Sequence, residues 1–299
     1  MIVEGKYVTI WDIAFWEATT GDASPLLTEE ELRQKSKRLS DIRSMLIDMD
    51  GVLYRGMQPV PGAKEFLEWA RRRGIAFLLF TNNSSLTPVQ YAEKLRSMDI
   101  IATPEEVFTS CEATAMQLAT MIPPGSKVYV IGEDGIRQAL QQSGFQFAEK
   151  DVAAVVVGWD RKLTYDKLKI ATLAIRRGAY FIGTNPDRTY PAEEGLVPGN
   201  GAILAALQAA TDVAPFIVGK PELPIFRTAL RHLQAAAAST AIIGDRPETD
   251  VLGGQRAGLM TILVLTGVTG MAELEASGLH PDWVFENLPA LQVAWEMER

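Results

Sequence analysis

Short apolar runs alternate with longer stretches of helical spacing along this chain. Ser44-Met45-Leu46-Ile47, Ala76-Phe77-Leu78-Leu79-Phe80, Phe216-Ile217-Val218-Gly219 and Thr240-Ala241-Ile242-Ile243-Gly244 read as buried strands. Further strands are predicted at Val128–Ile131, Ala153–Val157, Tyr180–Ile182, Thr261–Leu265 and Trp283–Phe285. Between the first two runs, Pro61-Gly62-Ala63 precedes a helix whose apolar side carries Phe66, Leu67, Trp69 and Ala70, ending near Arg73-Gly74. Thr87-Pro88 opens another helix, with proline in the first turn. Ala235–Ala238 reads as helix filler. Strand and helix alternate throughout, which predicts an α/β fold: a doubly wound, Rossmann-like parallel sheet with right-handed crossovers.

Pro123-Pro124-Gly125 marks a boundary, and the stretch behind it carries strands of its own. We therefore expect residues 44–123 and 217–299 to form a core, with an α/β cap inserted at 124–216. Residues 1–43 form an extension, aromatic and apolar from Tyr7 to Trp16, with a capped helix start at Thr28–Leu32.

Composition narrows the function. The 299 residues carry a net charge of −8, and acidity argues against a nucleic-acid surface. Cys111 is the single cysteine, which excludes an internal disulfide and fits a reducing cytoplasm. It sits at a strand-to-helix junction and reads as buried filler. With two histidines, His232 and His280, histidine catalysis and His-rich zinc sites are disfavoured. No stretch reaches the apolar length of a membrane span, and Glu4, Lys6 and Asp12 interrupt any signal-peptide core.

The chemistry lies where the strands end. The first run delivers Asp48-Met49-Asp50-Gly51, and at strand period the two carboxylates point the same way. Like charges so close repel unless a cation sits between them. The second run delivers Thr81-Asn82-Asn83-Ser84, the third Lys220-Pro221, and the fourth Asp245-Arg246, with Asp250 five residues on. Asp48 is a candidate nucleophile toward phosphorus, and Asp50 a candidate acid and base. A halide leaves without a proton, so Asp50 favours phosphate chemistry. Thr81 and Asn82 suit phosphate oxygens, and Lys220 a phosphoryl charge. Asp48 and Asp245 offer the oxygens Mg²⁺ prefers. Asp250 suits orienting a metal-bound water or Lys220. Neither a dinucleotide fingerprint nor a P-loop motif is present.

The order DxDGxL, TNNS, lysine before proline and GDRxxTD resembles the four motifs of haloacid dehalogenase-like phosphohydrolases. Gly183-Thr184-Asn185-Pro186-Asp187 and Pro198-Gly199-Asn200-Gly201 resemble their NagD-like, para-nitrophenyl phosphatase branch. The likeness implies a Mg²⁺-dependent phosphatase of small phosphorylated metabolites, working through an aspartyl-phosphate. It adds the backbone carbonyl of Asp50 to the metal ligands and brings Arg246 and Thr249 near substrate, with Glu248 solvated. It makes Asn185 to Gly201, Asn185 and Asp187 included, a substrate-facing loop of the cap. A homodimer through the cap is among the arrangements it allows. A phosphotransferase or mutase with the same nucleophile, or a non-catalytic phosphometabolite-binding regulator, would share much of this sequence pattern.

Overall fold

The computed structural model describes residues 2–3, 6–7, 38–192 and 195–298. The expected helix at Thr28–Leu32 and most of the aromatic N-terminal stretch lie outside them. In chain order the main strands are β1 (Ser44–Ile47), β2 (Ala76–Thr81), β3 (Val107–Thr109), β4 (Lys127–Ile131), β5 (Gln146–Phe147), β6 (Ala154–Val157) and β7 (Tyr180–Gly183). They continue with β8 (Thr189–Ala192), β9 (Gly195–Pro198), β10 (Phe216–Ile217), β11 (Thr240–Gly244), β12 (Met260–Val264) and β13 (Trp283–Phe285). Two compact units result: the chain up to Phe77 with that from Leu233 onward, and Leu78–His232.

In the first unit, four parallel strands run in the order β13-β12-β11-β1. Met45, Leu46, Ile47, Ile242, Ile243 and Leu263 are fully buried, as expected of parallel strands covered on both faces. The register pairs Ile47 with Ile243 and Gly244 with Leu263, so the ends of β1, β11 and β12 lie level. The expected helix runs Ala63–Arg72 and buries Phe66, Leu67, Trp69 and Ala70. Trp69 meets the edge of Trp295, on the helix Leu288–Met297, at 5.4 Å between ring centres.

The second unit begins within β2, which pairs in parallel with β3. A five-stranded parallel sheet, β10-β7-β6-β4-β5, occupies most of the rest. Its core includes Tyr129, Val155, Val157, Phe181, Ile203 and Leu207. The helix Pro88–Ser97 starts as expected. Thr87 accepts from the Gln90 N–H, and the Gln90 side chain accepts from the Thr87 N–H.

Three features depart from the sequence reading. Phe216–Ile217 is the edge strand of the five-stranded sheet, not a member of the sheet that holds β1. Its successors Val218 and Gly219 continue the pairing by donating to the Gly183 and Thr184 carbonyls. Ala235–Ala238 is not helical filler: the helix stops at Leu233, Gln234 turns left-handed (φ 53°), and a single 3-10 turn covers Ala237–Ser239. The Ala236 carbonyl is then taken by the Thr240 hydroxyl at 2.8 Å. Finally, β8 and β9 form an antiparallel hairpin inside what reads as a turn-rich loop. Gly195 and Leu196 of this two-stranded ribbon are exposed, so no alternation announces it.

Candidate functional site: an acid cluster and an amide-lysine network

In the first unit, β1 and β11 run side by side and end on Asp48 and Asp245. The Asp48 N–H still donates to the Ile243 carbonyl at 2.8 Å, so Asp48 sits at the last rung of the sheet. Asp250 joins them by way of one wide helical turn, Pro247–Val251, in which the Val251 N–H reaches back to the Arg246 carbonyl. Such turns of five-residue spacing favour functional positions because they re-aim a side chain. Asp48, Asp245 and Asp250 each bring a carboxylate oxygen within 4.8 Å of the others, and they are 8%, 1% and 1% exposed.

Close packing holds this cluster. Gly51 has φ 89°, and a Cβ there would collide with the Asp245 carboxylate; one on Gly244 would collide with that of Asp250. The Val268 N–H donates to Asp245 Oδ2 at 2.9 Å. The Arg246 N–H donates to Asp250 Oδ2 at 3.2 Å, with the Thr249 hydroxyl 3.3 Å from the same oxygen. Asp50 is half-buried and is not in this cluster, contrary to the expected pairing of its carboxylate with that of Asp48, because the strand ends at Ile47 and its period does not carry through both acids. Glu248 is exposed and Arg246 and Thr249 are half-buried. Three buried carboxylates with hard oxygen donors fit a divalent cation such as Mg²⁺.

The second unit gathers different chemistry. Thr81, Asn82 and Lys220 are buried. The Thr81 hydroxyl accepts from the Asn83 N–H at 3.1 Å, which leaves the hydroxyl's own proton unspent by that bond. Lys220 arrives on the extension of β10. Its Nζ donates to the Phe80 carbonyl at 3.3 Å and stands 5.2 Å from the centre of the Phe80 ring. Asn82 Oδ1 accepts the Lys220 N–H at 2.7 Å, and its Nδ2 donates to the Lys220 carbonyl at 2.9 Å. Asn185 Nδ2 donates to the Asn82 carbonyl at 2.7 Å, and the Asp187 carboxylate lies 3.3 Å from Asn82 Nδ2.

Four further groups support these networks; Asn200 and Ser84 lie inside motifs that the sequence reading singled out, while Ser110 and Thr266 were missed. Asn200, buried at the start of the helix Asn200–Thr211, donates to the Asn185 carbonyl at 2.8 Å. The Ser110 hydroxyl donates to the Asn82 carbonyl at 2.6 Å. Ser84 accepts the Trp159 N–H at 3.0 Å. The Thr266 hydroxyl donates to the Gly51 carbonyl at 2.7 Å. The signal of Ser110 and Thr266 was weak, since a lone Ser or Thr past a strand end is the ordinary residue of a turn. Cys111 is buried as expected; burial raises its thiol well above the usual range, which suits an inert filler. Among the described residues no helix is long and apolar enough to cross a membrane.

Comparison with known proteins places the chain in a family. Residues 45–146 match the sequence pattern of haloacid dehalogenase-like hydrolases, and residues 217–291 match a second pattern of the same group. The 5'-nucleotidase YutF of Bacillus subtilis is 47% identical over 227 residues, covering 76% of this chain and 88% of that protein. An acid sugar phosphatase of Staphylococcus aureus is 42% identical over 251 residues, covering 84% and 96%. A crystal structure of 4-nitrophenylphosphatase from Thermotoga maritima superposes with a TM-score of 0.81 at 36% identity, covering 85% of this chain and 97% of that one. NagD from E. coli K-12 gives 0.78 at 35% identity, covering 83% and 97%. The chain belongs to the haloacid dehalogenase-like hydrolases, in their NagD-like branch of phosphatases.

Proposed function

We propose that the protein hydrolyses small phosphate monoesters in two steps through an aspartyl-phosphate on Asp48, with Mg²⁺ as its cofactor. The observation that carries this reading is the buried cluster of Asp48, Asp245 and Asp250, which gathers the hard oxygen donors that a divalent cation takes. Asp48 and Asp245, with the Asp50 carbonyl, would hold the ion, and Asp250 would orient a ligand of it. The ion, when bound, neutralises the carboxylates and the phosphate so that anion can approach anion.

The remaining steps belong to side chains. A carboxylate oxygen of Asp48 attacks phosphorus, the bond from phosphorus to the ester oxygen breaks, and its electron pair leaves with that oxygen. Asp50, protonated, gives the leaving oxygen its proton. Asp50, now a carboxylate, takes a proton from water, whose oxygen attacks phosphorus. The bond from Asp48 to phosphorus breaks, inorganic phosphate departs and both acids return to their starting states. The Lys220 ammonium balances the phosphoryl charge, and the Thr81 hydroxyl and Asn82 N–H donate to its oxygens.

The relatives act on nucleotides and on sugar phosphates by name. A hydrolysis panel of nucleoside monophosphates, sugar phosphates, phosphoglycolate and pyridoxal phosphate, with Mg²⁺ and with EDTA, tests the reading. Release of phosphate from one or more classes in Mg²⁺ alone supports it, and undiminished release in EDTA after dialysis overturns the metal assignment.

A further inference from the structure

We propose that Asp187 is a positioning residue, which holds Asn82 and through it Lys220 in working geometry, and is not a contact for the substrate's leaving group. This rests on the reading of Lys220 as the cation that balances the phosphoryl group.

The Asn82 amide is fully committed. Its oxygen takes the Lys220 N–H, and one Nδ2 proton goes to the Lys220 carbonyl, so the amide brackets a single residue's main chain from both sides. The second Nδ2 proton points at the Asp187 carboxylate, with both oxygens at 3.3 Å. Two acceptors on one side and one donor on the other leave a single orientation for this amide. An ionised acceptor makes the stronger bond, so Asp187 fixes Asn82 better than a neutral group would. Gly219 sits so close that a Cβ on it would lie 2.7 Å from Asn82 Oδ1. A rotated Asn82 would therefore disturb the segment that delivers Lys220.

Asp187 is itself anchored within the same unit. Its N–H donates to Asn185 Oδ1 at 3.2 Å, and its carbonyl accepts the Gly201 N–H at 2.8 Å. Asn185 is tied to the Asn82 carbonyl by its amide, and Asn200 holds the Asn185 carbonyl. Asn185 thereby spends its side chain on the scaffold.

The test measures kcat and KM for Asp187→Ala, Asp187→Asn, Lys220→Ala and the Asp187→Ala/Lys220→Ala double variant, each with one bulky and one minimal phosphate ester. Asp187→Ala should lower kcat by the same factor for both esters, roughly 10- to 100-fold, because misplacing a catalytic group by an ångström costs about that much. KM should hold its ratio between esters. Asp187→Asn is nearly isosteric and keeps an acceptor for Asn82 Nδ2, so it should recover most of the loss. The double variant should be no slower than Lys220→Ala, since the two act through one group. A changed preference between the esters in either Asp187 variant, or additive losses in the double variant, overturns the proposal. Should Lys220→Ala itself leave kcat intact, the phosphatase assignment of Lys220 fails instead, and the two failures are distinct.

Discussion

The two units stabilise their chemistry in opposite ways. The first packs three carboxylates into a space under 5 Å across and relies on like charges held together. The second builds around a lysine whose main chain and Nζ are both hydrogen-bonded by the protein itself. The first crowds three carboxylates that accept from backbone N–H groups at Asp245 and Asp250; the second surrounds a cation with acceptors. Under the proposed function the first acts through its charge and the second through its geometry, so substitutions in the two should differ in kind.

The largest expected effect crosses activity with stability. Asp48→Asn should cost several orders of magnitude in kcat, because an amide cannot form the acyl-phosphate. Yet in metal-free buffer it should melt no lower than the parent, since it removes one of three repelling charges. Lys220→Met should do the reverse in stability and melt lower, because it leaves the Phe80 carbonyl without the Nζ donor while the main-chain bonds to Asn82 persist. Equal destabilisation by both variants would erase the contrast between the units.

A smaller effect comes from the ion. Mg²⁺ at about a hundredfold excess over its dissociation constant should add about 2.7 kcal/mol, read as a melting shift of several degrees. Asp245→Asn should lose most of that shift, while Asp187→Asn should keep it. A full shift in Asp245→Asn would place the ion elsewhere.

The smallest effect lies away from both clusters. Hydrogen bonding from Arg161 holds the Glu133 carboxyl below its usual range. A depressed carboxyl contributes stability above its unfolded value and loses it as pH falls through the folded one. Glu133→Gln should thus lower stability at pH 7 by under about 1 kcal/mol, Arg161 being exposed, and the deficit should vanish on the acid side of the carboxylate range. Melting curves across pH would show it, and a pH-independent deficit would assign the loss to packing.

Much of this was legible in the sequence wherever a strand was buried and its end was polar. Asp48 and Asp245 could be grouped because apolar runs in a parallel sheet end level, whereas the crowding at Gly51 and Gly244, and the turn that brings Asp250 in, show only in the structure. The edge strand Phe216–Ile217 could be seen but not placed, since two apolar residues do not say which sheet they join. The hairpin of β8 and β9 left no trace, because Gly195 and Leu196 are both exposed and show no alternation. The bonds from Asn185 and Asp187 to Asn82 join residues about a hundred positions apart, and no local pattern encodes them.

The central claim, covalent catalysis at Asp48, is tested most directly in Asp50→Asn with 4-nitrophenyl phosphate. Nitrophenolate leaves without help from an acid, whereas water then lacks its base, so the intermediate should accumulate. The expected result is a burst of about one nitrophenolate per site together with protein-bound phosphate that hydroxylamine releases and peptide mapping assigns to Asp48. A burst without bound phosphate, or with phosphate on another residue, would contradict it.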